Sequence, residues 1–101
     1  MFIELDLDEV PARTRLVDAD DFKAFAVVAH GPRERFAAAA EPLGRVDGDH
    51  VFVHLGVVRE LAGHHGDDDA WLAGLQQMVD YAAANGWMDA DGRVRAHVEW
   101  R

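Results

Sequence analysis

The chain of 101 residues contains no cysteine. There is therefore no disulfide framework, no thiolate metal site and no cysteine nucleophile. Serine is also missing, and Thr14 is the single threonine, so no Gly-x-Ser-x-Gly elbow exists and hydroxyl-nucleophile catalysis has almost nothing to use. Basic residues are scarce. Lys and Arg total 10 against 19 Asp and Glu, which gives a formal net charge of −9. A phosphate backbone repels such a chain, and no basic stripe is interleaved with aromatics, so nucleic-acid binding is not expected. No segment approaches the roughly 20 consecutive apolar residues of a membrane span. The opening Met1-Phe-Ile-Glu-Leu-Asp-Leu is acidic where a signal peptide needs a basic end and an apolar run, which makes the cytoplasm the expected location. The acidity itself favours solubility, or a basic partner.

Half of the residues are apolar, enough for one domain over 1–101 with a single modest core. The last third is the most readable stretch. Asp67, Asp68 and Asp69 stand where carboxylates cap the free N–H groups of a helix and face the positive end of its dipole. Trp71, Leu75, Met78, Val79 and Ala82 follow at helical spacing and form one apolar stripe. Asn85-Gly86 predicts a stop, with Gly86 in the left-handed conformation and Trp87 folding back onto Ala82. Asp89-Ala-Asp-Gly92 predicts a turn. Val94, Ala96, Val98 and Trp100 then alternate with polar residues, the period of a strand with one wet face.

Upstream, Ile3, Leu5 and Leu7 alternate with Glu4, Asp6 and Asp8, a strand that Pro11 ends. Ala12 to Asp21 reads as a connection with Leu16 and Val17 tucked under the domain. Phe22 to His30 is apolar on both alternating sides and reads as a doubly buried strand, although Phe22, Phe25, Ala26 and Ala29 also fit a helix. Gly31-Pro32 favours the strand, because Pro32 suits the first position of a new helix carrying Phe36, Ala39 and Ala40 inward. Asp47-Gly48 predicts a hairpin leading into a strand from His50 to His54. Leu55 to Ala62 either extends that strand or forms a helix, which the pattern favours over Val57 to Ala62.

From Phe22 onward the expected order is strand, helix, hairpin, helix, strand. That order predicts an α+β fold: a ferredoxin-like split βαβ sheet with two main helices on one face and an added N-terminal strand. The other face must be solvated or buried against a second copy. Small chains of this length and element order resemble those that pair sheets into a dimeric α+β barrel. The resemblance carries no motif and no functional residue.

Histidine is the side chain best suited to proton transfer near neutral pH. His50 and His54 fall on one side of their expected strand with Phe52 between them, and His97 lies on the polar side of the last strand. His30 ends the Phe22 segment, so several imidazoles could converge if these strands are neighbours. His50, His54 and His97 are the candidate ligand-binding residues. The run His64-His65-Gly66-Asp67-Asp68-Asp69 offers imidazoles and carboxylates, but not at the helical spacing of a His-Glu-x-x-His site; it reads as a polar loop with a helix cap, and no metal or cofactor is expected. Gly31-Pro32-Arg33 is a helix start that could hold an anion, and Asp89 to Gly92 lacks the further ligands of a calcium loop. Trp71, Trp87 and Trp100 are expected in the core. Three functions stay open: a small acidic non-catalytic binding or accessory protein that forms a homodimer and takes a small-molecule ligand; a cofactor-free isomerase, cyclase or lyase using histidine in an inter-subunit cavity; and an inhibitor or antitoxin-like protein acting on a basic partner.

Overall fold

The alternating N-terminal segment becomes β1 (Phe2–Asp6), and it lies inside the sheet rather than at its margin. The computed structural model describes residues 1–101. β2 (Arg13–Val17) pairs antiparallel with one side of β1, and β3 (Ala26–His30) pairs parallel with the other. A short 3-10 turn then leads into α1 (Phe36–Ala40), and a second leads into the hairpin of β4 (Gly44–Asp47) and β5 (His50–Val53). α2 (Leu55–Leu61), a 3-10 segment (Gly63–Asp67) and α3 (Asp69–Ala84) follow, and β6 (Val94–Trp100) closes the sheet. The strand order is β2-β1-β3-β6-β5-β4, with β1, β3 and β6 parallel to one another at the centre.

The mixed α+β class holds. The ferredoxin-like split βαβ arrangement is not confirmed. There, a helix-linked pair of strands runs parallel with another strand between them. Here β5 and β6, linked through α2 and α3, are direct antiparallel neighbours, while β6 and β5 both lie between β3 and β4. The difference lies at the edge of β3: β1 pairs there in parallel, in the place β5 would take in a split βαβ sheet, and β5 pairs with β6 instead.

Two expectations shift at the N-terminal end. Arg13 to Val17, read as connection, is an edge strand; only Thr14 and Leu16 of it face the core side, too faint a pattern to register as a strand. The strand read from Phe22 begins at Ala26 instead. Phe22 is withdrawn to pack on Trp71, with ring centroids 6.0 Å apart. It fits there because residue 74 of α3 is glycine, where a Cβ would overlap the Phe22 ring.

The last third forms as its residues dictate. Asp68 caps α3, its carboxylate accepting the N–H groups of Ala70 at 2.9 Å and Trp71 at 3.4 Å. At the other end Gly86 sits at φ 73°, Trp87 N–H donates to the Ala82 carbonyl at 2.9 Å, and Gly86 N–H to that of Ala83 at 3.1 Å. This is the full left-handed C-cap pattern. Of the three tryptophans only Trp71 is fully buried, and its Nε1–H donates to the Ala19 carbonyl at 2.9 Å. Trp100 is half-buried against Phe36, and Trp87 half-buried against Tyr81.

All of this packs one side of the sheet. Ile3, Leu5, Val27, Ala29, Val51 and Val53 are wholly buried there with Val58 of α2 and the Trp71–Leu75–Met78 stripe of α3. No helix is long and apolar enough to cross a membrane.

Candidate functional site

The pairing register decides which of the expected site residues meet. Val98 N–H donates to the Asp49 carbonyl at 2.8 Å, so the next pair along, His50 and His97, is a non-hydrogen-bonded antiparallel pair whose side chains approach closely. Their ring centroids are 5.5 Å apart in an edge-on arrangement. His54 does not join them. β5 ends at Val53, and His54 is the exposed N-cap of α2, where its side chain makes no capping bond. His64 and His65 stack on each other at 4.4 Å in the 3-10 segment with Asp67, and no third ligand group gathers around them.

His50 and His97 lie on the face of the sheet that carries no helix. By register that face also presents Phe2, Val28 and Phe52. Guanidiniums lie over its aromatic rings: Arg45 is 4.4 Å from the Phe52 centroid and Arg101 is 5.5 Å from that of Phe2. Such contacts hold the cations flat against the surface. Carboxylates at Glu4, Asp6, Asp47 and Glu99 are matched by guanidiniums at Arg13, Arg15, Arg45 and Arg95. With Arg101 counted, the face has five guanidiniums against four carboxylates, so it carries no excess of negative charge in a chain that carries −9. Glu4 accepts from Arg15 Nε at 2.9 Å, and that bond and the carboxylate charge raise the Arg15 pKa.

A second group of chemical side chains sits at the C-terminal ends of the parallel strands. Asp6 ends β1 and His30 ends β3, and the register sets them side by side. Asp8 follows in the turn. His30 Nε2 is 3.7 Å from Asp6 Oδ1, and its Nδ1 is 3.7 Å from Asp8 Oδ2. Both separations exceed hydrogen-bond length. The backbone holds the corner shut: Leu7 N–H donates to the His30 carbonyl at 2.9 Å and Asp8 N–H to Asp6 Oδ1 at 3.0 Å. Gly31, at φ 109°, lets the Asp8 backbone come in close, since a Cβ there would lie 3.0 Å from the Asp8 nitrogen. The sequence placed Asp6 and Asp8 on one side of a strand and His30 at the end of another. What it lacked was any sign that these strands pair in parallel, because the segment between them holds the unforeseen β2.

Beside this corner a groove of about 420 Å³ runs between the β1–β2 turn and α1, with Leu7, Pro11, Arg35 and Ala39 in its walls. Arg35 commits a donor to the Leu7 carbonyl at 3.0 Å. An anion cradle at Gly31-Pro32-Arg33 does not form as such: Pro32 precedes a 3-10 turn without a side-chain cap, and Arg33 lies 4.4 Å from the Trp100 ring centroid. The chain matches no family model, no curated protein and no solved structure.

Proposed function

We propose that this chain is a small acidic, non-catalytic binding protein that acts as a homodimer joined through the uncovered face of its sheet. The observation that carries this reading is the charge distribution. A molecule at −9 repels its own copies over most of its surface, but the helix-free face has no excess of negative charge, with cations and anions interspersed. A two-fold contact needs one self-complementary patch, and alternating Arg and Asp or Glu around Phe2 and Phe52 supplies one. Apolar surface removed from water on pairing contributes roughly 25 cal/mol per Å². His50 and His97 then line the contact, where a small ligand would meet two imidazoles from each copy.

Sedimentation velocity from low to high micromolar concentration tests this. The expected result is a concentration-dependent dimer for the wild-type chain and a monomer for Phe52→Glu, with similar thermal midpoints for the folded monomers. A monomer throughout the range overturns the reading. Native mass spectrometry of the dimer then reports whether a small molecule is retained.

A further inference from the structure

We propose that Asp6, Asp8 and His30 form a binding site for a divalent transition metal ion, zinc or a metal of similar chemistry. One oxygen from each carboxylate and one imidazole nitrogen all lie within 4.8 Å of one another. Ligand atoms of a tetrahedral zinc at about 2.05 Å from the metal are roughly 3.3 Å apart. A metal takes only one of the two ring nitrogens, so one 3.7 Å separation needs to contract by a few tenths of an ångström, while the other carboxylate, which lies nearest the opposite nitrogen, has to close from within 4.8 Å. Asp8, the most exposed of the three and placed in a turn, is the arm that closes. Asp6 and His30 are fixed by adjacent strands.

The surroundings favour an ion over an ordinary salt bridge. Neither carboxylate has a Lys or Arg partner, although the sheet face beside them is rich in arginine. Arg13, which the register sets opposite Asp6, turns its Nε to Glu9 at 3.0 Å. Arg35 is engaged by the Leu7 carbonyl, and Arg101 pairs with Glu99 at 3.5 Å. Two carboxylates thus face a single imidazole that is too far from either to hydrogen-bond. A dication between them neutralises both. The imidazole sets the selectivity: nitrogen with carboxylate oxygen suits zinc and its neighbours, whereas calcium takes oxygen ligands throughout. Three protein ligands leave a coordination position for water.

Isothermal titration of the full chain with zinc, after treatment with a chelator, is the test. The expected result is one zinc per chain, with affinity reduced by roughly tenfold or more in both Asp8→Asn and His30→Gln. Calcium should not displace the zinc. The double variant His64→Ala, His65→Ala should bind as the wild type does, and so should Phe52→Glu, which separates this site from self-association. Thermal melts in chelator report whether Asp8→Asn is folded; its exposed side chain makes it the safer of the two variants. No binding by the wild-type chain overturns the proposal. Binding kept in folded Asp8→Asn and His30→Gln, or lost in the His64, His65 variant, overturns it equally.

Discussion

The same strands make both faces of the sheet, and the two faces could hardly differ more. On the helical side Ile3, Leu5, Val27, Val51 and Val53 have no exposure at all. One residue along each strand, the other side carries Phe2, Glu4, Val28, His50 and Phe52, and of these only Val28 is buried. A strand presents alternate residues to opposite faces, so a single run of backbone serves both purposes. Folding free energy is concentrated on one side. The other is left to cations on aromatic rings, paired imidazoles and balanced charge. The central strand β3 departs from this division, since Val28 on its open side is apolar and buried.

Substitution at neighbouring positions of β1 should expose the contrast most sharply. Leu5→Ala removes a fully buried side chain and leaves a cavity under the helices, which should cost about 2–5 kcal/mol. Glu4→Ala, one residue earlier and on the open face, removes an exposed, solvent-screened ion pair with Arg15 and should cost far less. Urea denaturation of the two variants compares them directly. Equal losses would mean that the open face contributes to stability in the isolated chain as much as the core does.

A smaller effect is expected at the end of α3. Gly86 has φ 73°, and a methyl group added at its Cα would have nothing within 4 Å, so Gly86→Ala meets no neighbour and incurs only the backbone penalty. That should be on the order of 1 kcal/mol. Thermal melts would show it as a lowered midpoint with an unchanged unfolding transition width. An unchanged midpoint would mean that the left-handed cap has no part in ending α3.

How much of this was readable in the residues follows the same division. The α3 stripe, the Asp68 cap, the Gly86 stop, the Asp47-Gly48 hairpin and the alternation of β6 were all legible, because each is a local pattern with a local physical cause. The helix over Leu55 to Leu61 was legible too, two residues longer at its start than the pattern suggested. β2 was not. Arg13-Thr-Arg-Leu-Val has few apolar residues because an edge strand buries only part of one side, and its pairing with β1 depends on a partner distant in sequence. Sheet order was lost with it. So was the corner of Asp6, Asp8 and His30, which exists only because β1 and β3 run parallel and in register. The meeting of His50 with His97 was anticipated as a possibility of neighbouring strands. The separation of His54 from them was not, since α2 begins one residue after it.

The smallest expected effect concerns the rim of the open face, and it depends on pH. The Asp89 side chain is only 9% exposed, yet it is well supplied with donors. It accepts from the N–H groups of Asp91 at 3.0 Å and Arg93 at 2.9 Å and from Arg93 Nε at 2.7 Å, and Arg45 Nη2 lies 3.6 Å away. Burial by itself pushes the Asp89 carboxyl up. The hydrogen bonds from Arg93 and Asp91 and the Arg93 charge together outweigh it and hold the group below its ordinary value. In the unfolded chain that value is about 3.9. On acidification the unfolded state therefore takes up the proton first. The stabilisation from Asp89 is complete above about pH 4 and is lost as pH falls through that value towards the lower one of the folded state. Asp89→Asn keeps an oxygen for the two backbone N–H groups but discards the charge. Its thermal midpoint should lie below that of the wild type near neutral pH, and the gap should close below about pH 4. A gap of constant size across that range would mean that the carboxylate's charge contributes nothing.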